Sequence, residues 1–359
     1  MRCSISLDSG ALLYKYRLHR RVGGGYFGEV WLAHDTHLDR DVAVKVQILS
    51  KDTLNDVLQE AQIGNHLDHR NLVKVHSADP TKHEGETLLL IAMDFYPDGS
   101  ITKKFNEMGF IALHDAIHYL TDILKGLEHL HENGLYHGDI KPNNILIGRR
   151  DDALLTDYGI SCYAADFGPV QPKALYCPHV APETIRDNQI SVQTDIYQVG
   201  MTAFRLLNGE DKIKTIFDYK GIEDYCDLVL QGKVIQPRDY LPFIPRNLKT
   251  ILGKATHVDP SRRYQTALEM RRALEGLNYP GYWTCDSERN FLGYSGKNTY
   301  SFSSELRERG RYNFTAMKKG KSGRVIKMIK YSRKSVDWKE MENLKQKFML
   351  SVVTGKNPN

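Results

Sequence analysis

The chain is poor in cysteine and has no long apolar run. None of its cysteines stands in a C-x-x-C spacing, and their number is odd: Cys3, Cys162, Cys177, Cys226 and Cys285. Scattered cysteines of odd number argue against a disulfide framework or a structural zinc site. The longest apolar run, Leu88 to Met93, is too short to cross a bilayer, and no basic start followed by an apolar stretch opens the chain. We therefore expect no membrane span, no export signal and a reducing, cytoplasmic location.

Charge divides the chain into two unequal parts. Residues 281–359 hold 17 Lys and Arg against 7 Asp and Glu, a net charge of +10, whereas residues 1–280 hold 32 against 37, a net charge of −5. The length of 359 residues suits about two domains, each able to bury its own core. The Pro280–Gly281 step, a dipeptide typical of turns, is the boundary that we predict between them.

The periodicity of apolar residues changes along the acidic part. Residues 14–95 alternate in short β patterns around one helix, and residues 111–278 are mostly helical in pattern. One apolar helix face repeats at intervals of three and four, through Ile117, Leu120, Leu124, Leu127 and Leu130. The pattern predicts an α+β protein with a small β lobe before a helical lobe.

Five histidines lie close together in sequence: His66, His69, His129, His131 and His137. No pair among them combines a metal-ligand spacing with a nearby carboxylate, and His129 and His131 point to different faces of a helix. We expect packed or solvated roles for all of this group except His137, which begins the loop described next.

The ten residues from His137 to Leu146, HGDIKPNNIL, combine a carboxylate, a cation and a carboxamide on one short loop. Asp139 can accept a proton from an attacking hydroxyl, Lys141 can neutralise a transferred phosphate, and Asn144 can hold a divalent metal ion. This combination indicates phosphoryl transfer.

A glycine-rich segment that could approach the phosphates of a nucleotide precedes this loop in the chain. Gly23, Gly25 and Gly28, followed by Val30, form G-x-G-x-x-G-x-V, in which the backbone N–H groups can approach phosphates. Lys45 follows in the alternating segment VAVKV, which predicts a strand that directs the lysine toward the same phosphates.

These motifs resemble the signature set of the eukaryotic-like (Hanks-type) Ser/Thr protein kinases. Glu60 matches the helix glutamate that pairs with the strand lysine, and Asp157 begins D-Y-G, which stands for the metal-binding D-F-G. Ala181-Pro182-Glu183 matches the A-P-E that closes the activation segment. Asp195 resembles the aspartate that anchors the catalytic loop, and Arg263 resembles the partner of Glu183.

The resemblance covers residues 14–278 and implies a protein kinase domain with a bilobal fold. The segment from Ala33 to Lys45, AHDTHLDRDVAVK, is particularly similar to bacterial members. Gly138 departs from the pattern, because most members carry arginine before the catalytic aspartate.

The resemblance implies ATP and two Mg²⁺ ions as cofactors and protein hydroxyl groups as acceptors. Asp157 and Asn144 would hold the metal ions, and Lys45, positioned by Glu60, would hold the α- and β-phosphates. Lys141 would steady the γ-phosphate while Asp139 orients the hydroxyl. The adenine would lie among the remaining candidates, namely Val30, Ala43, the gatekeeper Met93, the hinge residues Asp94 and Tyr96, and Leu146.

Two other functions fit part of the pattern. Small-molecule phosphotransferases, such as aminoglycoside kinases, share H-G-D-x-x-x-x-N, and Gly138 fits them better. Against them stand Lys141, the glycine triplet and the A-P-E segment. A non-enzymatic, ATP-binding pseudokinase is disfavoured because no phosphate, metal or base residue is missing. Tyr176, where Ser/Thr kinases usually have threonine, leaves the choice of acceptor open.

Residues 281–359 lie outside the resemblance. The segments Tyr300–Ser304, Tyr312–Lys318 and Arg324–Ser332 are predicted strands, and Trp338, Met341, Leu344 and Phe348 predict the apolar face of a helix. A basic, aromatic-rich module could bind nucleic acid. Docking on the acidic kinase domain or on a protein partner is the interpretation that we favour.

Overall fold

The structure is a computed structural model of the 359-residue chain. The residues that it describes are 7–25, 28–48, 67–104, 109–157, 162–164, 166–172, 176–209, 211–286, 288 and 290–356. Glu60, the helix predicted around it, Tyr158 and Gly159 lie outside these residues.

The first lobe is an antiparallel sheet with strand order β1-β2-β3-β4-β6-β5. Its strands are β1 (Leu12–Leu13), β2 (Tyr16–Gly25), β3 (Gly28–Asp35), β4 (Arg40–Ile48), β5 (Val75–His83) and β6 (Glu86–Met93). Successive side chains of β4 point to opposite faces of the sheet. Val42, Val44 and Val46 join an apolar cluster on one face. Ala43 and Lys45 consequently point to the opposite face, toward the second lobe.

The second lobe is mainly helical. Its helices are α1 (Leu113–Glu132), α2 (Pro182–Asp187), α3 (Val192–Asn208), α4 (Asp211–Leu230, which turns at Gly221), α5 (Arg246–Ala255) and α6 (Ala267–Glu275). Two short antiparallel pairs complete it, β7 (Leu135–Tyr136) with β10 (Cys162–Tyr163), and β8 (Ile145–Ile147) with β9 (Ala153–Leu155). This arrangement confirms the predicted fold class.

The sequence explains the position of two central helices. The predicted stripe on α1 is buried at Leu120, Leu124, Leu127 and Leu130. Helix α3 begins at a capping box in which Ser191 and Thr194 satisfy each other's backbone N–H groups. Within the described residues, no helix combines the length and the apolarity needed to cross a bilayer.

The C-terminal module is an antiparallel meander covered by one helix. Its elements are β11 (Gly281–Cys285), β12 (Phe291–Ser295), β13 (Asn298–Leu306), β14 (Tyr312–Lys319), β15 (Val325–Lys327), β16 (Arg333–Val336) and α7 (Trp338–Thr354). Strands β15 and β16 both pair with β14. Trp283 is fully buried under α7 and donates its indole N–H to the carbonyl of Met349 at 3.0 Å.

The structure confirms two of the three predicted strands of this module and corrects the third. Tyr300–Ser304 and Tyr312–Lys318 lie within β13 and β14. The prediction for Arg324–Ser332 is wrong beyond Lys327, because the chain turns there and Tyr331 donates its N–H to the carbonyl of Met328 at 3.1 Å. Met328 and Tyr331 are both buried. A spacing of three brings them to the same side of a turn, whereas a strand requires a spacing of two.

The helix predicted at the end of the module exists, but its first aromatic residue is placed differently. Met341 and Phe348 are buried under the sheet as expected. Trp338 is 57% exposed, and among the described residues its ring contacts one aromatic ring, the edge of Tyr312, at 5.5 Å between centroids. At the first residue of α7, it does not share the burial of Met341 and Phe348.

The module shares an apolar core with the helical lobe. The ring of Phe291 stacks on Phe110 at 6.1 Å and meets the edge of Phe243 at 6.3 Å. One continuous apolar cluster contains residues of α1, α5 and α6 together with Trp283 and Phe348. The predicted boundary at Pro280–Gly281 coincides with the start of β11 and remains a prediction.

Replacing Phe291 with alanine should destabilise the whole chain by about 2 kcal/mol, less than the ~3–5 kcal/mol of a fully buried phenylalanine because this ring is partly exposed. Urea unfolding measures the change. Leu306→Ala is the control, since Leu306 is 66% exposed on β13 and should change stability by less than about 0.5 kcal/mol. Equal effects from the two substitutions would show that the shared core contributes nothing.

Candidate active site

One buried carboxylate holds the backbone of the loop between β7 and β8. Asp195, in the first turn of α3, accepts the N–H of His137 at 2.9 Å and the N–H of Gly138 at 2.8 Å. Gln198, one turn further along α3, accepts the N–H of Ile140 and donates to the carbonyl of Gly138, each at 2.8 Å. The anchoring role expected of Asp195 is therefore confirmed.

Gly138 has a positive φ of 73°. A residue with a Cβ pays about 1–2 kcal/mol in this left-handed region. A Cβ at this position would also lie 3.1 Å from the Cδ1 of Ile190. The hydrogen bonds to Asp195 require this turn of the loop. Glycine can adopt it because it has no Cβ that would clash.

Two of the three candidate groups of this loop, Lys141 and Asn144, contact the third, Asp139. The Lys141 Nζ lies 2.9 and 2.7 Å from the two carboxylate oxygens of Asp139. The Asn144 Nδ2 donates to the Asp139 carboxylate and to its carbonyl, each at 2.9 Å. Because the nitrogen of the Asn144 amide is used in this way, its oxygen is the atom left for a metal ion.

An ion pair connects the β lobe to the helical lobe. The Lys45 Nζ, on β4, lies 2.6 Å from the Asp157 Oδ1, just after β9. Burial alone would raise the pKa of Asp157, but the ammonium of Lys45 outweighs it and holds this pKa below its usual range. Asp157 is therefore ionised at neutral pH and able to act as a metal ligand.

The glycine-rich segment forms the hairpin between β2 and β3. Gly23 pairs with Val30, and Gly25 pairs with Gly28. Gly28 has a φ of 119°, and a Cβ there would lie 2.1 Å from the carbonyl oxygen of Val46. Only glycine permits this approach of β3 to β4.

The two lobes enclose a cleft of about 530 Å³. Of the predicted site residues, those that line it are Gly23, Gly28, Val30, Ala43, Lys45, Met93, Asp94, Tyr96, Asp139, Lys141, Asn144, Leu146 and Asp157. Ala43 pairs with Met93 across β4 and β6, which brings the lysine strand to the predicted hinge. Burial raises the pKa of the Tyr96 phenol to about 12. The cleft therefore brings together nearly all of the described candidates.

A second set of contacts, which the sequence did not predict, lies under the segment that precedes A-P-E. The ring of Tyr176 lines the cleft, and the Lys141 Nζ lies 4.5 Å from its centroid. Arg205, on α3, donates to the Tyr176 hydroxyl at 3.4 Å and to the Nε2 of His179 at 3.0 Å. His179 donates its Nδ1–H to the carbonyl of Ile140 at 2.8 Å.

The environment of His179 keeps its imidazole neutral. Burial first and the nearby Arg205 guanidinium second lower its pKa well below 6.5. A neutral ring can donate at one nitrogen and accept at the other, as the contacts with Ile140 and Arg205 require. The segment before A-P-E is thereby joined to the catalytic loop, a connection without a local sequence signal.

The predicted pair between Glu183 and Arg263 is confirmed. The Arg263 Nη1 and Nη2 donate to the two Glu183 oxygens, each at 2.8 Å. Arg263 also donates to the carbonyls of Gln193 and His257 at 2.8 and 2.7 Å, and its side chain is fully buried. The pair fixes the end of the A-P-E segment against the helical lobe.

Comparisons with known proteins agree with this geometry. The family described as protein kinase domain matches residues 16–274. PrkC, a serine/threonine-protein kinase of Bacillus subtilis, is 30% identical over 269 residues, which are 73% of this chain and 40% of the relative. PknB of Mycolicibacterium smegmatis is 31% identical over 270 residues (72% and 42%), and PknJ of Mycobacterium tuberculosis is 28% identical over 291 residues (77% and 47%). The chain spans less than half the length of these curated relatives.

Arg263→Ala should lower the free energy of unfolding by about 3–5 kcal/mol, because it leaves the Glu183 carboxylate without its buried partner. Arg271→Ala is the matched control. Arg271 pairs with Glu128 and Glu275 at a partly exposed site, where loss of the pairs should cost about 1 kcal/mol or less. Urea unfolding measures both, and a similar loss for the two variants would contradict the buried character of the Glu183 pair.

Proposed function

The chain belongs to the protein kinase family, and on that premise we propose that it transfers the γ-phosphoryl group of ATP to serine and threonine hydroxyls of proteins. The observation that carries the proposal is the convergence of Lys45, Asp157, Asp139, Lys141 and Asn144 in one cleft between the lobes. The serine/threonine-protein kinases among the relatives support the class of acceptor.

The residues present fit a magnesium ion and a nucleotide. Mg²⁺ prefers oxygen ligands, which the ionised Asp157 and the amide oxygen of Asn144 supply. Aliphatic side chains of both lobes, Val30, Ala43 and Leu146, line the cleft where a base would lie. When bound, Mg²⁺ neutralises charge on the phosphate oxygens.

Side chains of the protein would supply the remaining catalytic functions. Lys45 would hold the α- and β-phosphates, with Glu60, outside the described residues, as its predicted partner. Asp139 would accept the hydrogen bond of the incoming hydroxyl and take its proton as the phosphate bond forms. Lys141, which contacts the Asp139 carboxylate, would place positive charge beside the transferred group.

Asp139→Asn should lower turnover by about 10²–10⁴-fold and leave the affinity for Mg-ATP within a few-fold, because only the acceptor loses its base. Asp157→Ala should instead weaken Mg-ATP binding itself. Calorimetry and a phosphorylation assay on protein substrates measure the two effects, with the exposed Asp218→Asn as the control.

Three outcomes would contradict parts of this proposal. Near-normal turnover by pure Asp139→Asn would remove Asp139 from its role. Wild-type turnover of aminoglycosides or other small alcohols without turnover of proteins would favour the small-molecule class. Mg-ATP binding without turnover of any acceptor would favour a pseudokinase.

For residues 281–359 we propose docking on a protein partner in preference to nucleic acid. Strand β15 is exposed along its whole length, and it combines the apolar Val325 and Ile326 with Lys327. Its neighbour β14 adds Lys318 and Lys319 opposite these apolar residues. Exposed apolar side chains suit contact with a protein, whereas phosphate binding makes no use of them.

A nucleic-acid titration of the full chain at several salt concentrations tests this choice. Weak binding that is equal for the wild type and for a triple alanine variant of Lys318, Lys319 and Lys321 is the expected result. A matched triple variant of exposed lysines elsewhere, Lys82, Lys220 and Lys233, controls for net charge. Tight binding whose logarithm falls linearly with log salt, and whose slope only the first triple reduces, would reverse the choice.

A further inference from the structure

Two histidines and an aspartate meet on three neighbouring strands of the β lobe, away from the glycine hairpin. His19 lies on β2, His34 near the end of β3 and Asp41 near the start of β4. His34 and Asp41 stand directly opposite each other in the register of β3 and β4. One candidate ligand atom from each of the three residues lies within 4.8 Å of the other two.

The closest of these contacts already has the spacing of two ligands on one metal ion. The His34 Nδ1 lies 3.1 Å from the Asp41 Oδ1. Two ligand atoms at ~2.0–2.1 Å from a tetrahedral zinc ion are about 3.3 Å apart. An ion could enter between His34 and Asp41 with a shift of a few tenths of an ångström.

A second carboxylate supports the ring of His34 from its other side. The His34 Nε2 lies 3.2 Å from the Asp39 Oδ1, in the turn between β3 and β4. Histidines that bind metals commonly donate their other N–H to a carboxylate, which fixes the tautomer and directs the free nitrogen at the ion. With its proton on Nε2, His34 presents the Nδ1 lone pair to Asp41.

This arrangement leaves a place for positive charge. A neutral imidazole has one donor and one acceptor, so it cannot donate to Asp39 and Asp41 together. If Asp39 takes the only proton, the His34 Nδ1 and the Asp41 Oδ1 are two acceptors that face each other at 3.1 Å. A metal ion bound to both atoms would replace this contact between two acceptors with two ligand bonds.

We propose that His19, His34 and Asp41 bind a divalent transition-metal ion of the zinc class, with Asp39 as the positioning residue of His34. Two imidazole nitrogens and one carboxylate oxygen match the ligand preference of Zn²⁺ and exclude Mg²⁺ as the preferred ion. His19 is exposed and the Asp41 side chain is 60% exposed. The site therefore exchanges its ion with solvent.

The site adjoins the segment that connects the lobes. Asp41 also lines a second cavity, of about 500 Å³, which shares Asp94, Phe95 and Tyr96 with the nucleotide cleft. An ion held by β2, β3 and β4 would join three strands beside this segment. Because the ligands come together only in the folded sheet, the ion should stabilise the folded state.

Titration of the metal-free full chain with Co²⁺, in excess Mg²⁺ to occupy oxygen-only sites, tests the proposal. The wild type should develop the visible absorption of four- or five-coordinate Co²⁺, saturate at one equivalent and lose it to Zn²⁺. His34→Ala and Asp41→Asn should abolish this band, and His19→Ala should weaken it. Asp39→Asn should weaken binding about 10–100-fold while the spectrum is retained.

The control is a similar pair that has no third candidate ligand among the residues that the structure describes. On α1, the His114 Nδ1 lies 3.3 Å from the Asp115 Oδ1 at an exposed position, so His114→Ala should leave Co²⁺ binding unchanged. Thermal unfolding gives an independent readout: Zn²⁺ should raise the melting temperature of the wild type and of His114→Ala, but not that of His34→Ala. Melting without metal shows whether each variant folds.

Two results would overturn the proposal. If the wild type shows no visible Co²⁺ band, His19, His34 and Asp41 do not form a metal site. If the band appears and His34→Ala retains it at equal affinity, the ion binds elsewhere in the chain.

Discussion

The catalytic geometry depends on the buried carboxylate of Asp195. It accepts two consecutive backbone N–H groups, and its Oδ2 also lies 2.8 Å from the His131 Nε2. Hydrogen bonds to a charged acceptor contribute about 1.5–3 kcal/mol each, and an orphaned buried N–H costs a similar amount. The first turn of α3 suits this charge, because the N-terminus of a helix carries partial positive charge. A change at position 195 would therefore displace the loop that carries Asp139, although the two side chains do not touch.

How much of the site could be predicted depended on how its residues are spread along the chain. One stretch of six positions contains Asp139, Lys141 and Asn144. Their chemistry could therefore be predicted from that stretch alone. Asp195 and Arg263 were found only through the resemblance, since a lone aspartate or arginine has no signal of its own. The contacts of Arg205 with Tyr176 and His179 were missed, because they arise when α3 packs under a distant segment. The proposed metal ligands have no local signal either, because His19, His34 and Asp41 come together only when β2, β3 and β4 pair.

The fold followed the sequence where periodicity was long and unambiguous. Helix α1 and strands β13 and β14 match their predictions to within a few residues. The strand predicted at Arg324–Ser332 was wrong beyond Lys327, because the apolar residues of this segment fit either a strand or a turn. Strands β11 and β12 were not predicted at all, and Trp283, the largest fully buried side chain, belongs to the first of them. The burial of these two strands depends on α7, which covers them.

The shared aromatic core has a consequence for the order in which the chain is made. Phe110 and Phe243 leave the ribosome before Phe291, which follows Phe243 by roughly fifty residues, or about 2–10 s of synthesis at ~5–20 residues per second. During that interval the helical lobe presents an uncovered apolar patch, to which chaperones can bind. The rate of elongation from Phe243 to Phe291 thus sets how long the nascent lobe is open to aggregation.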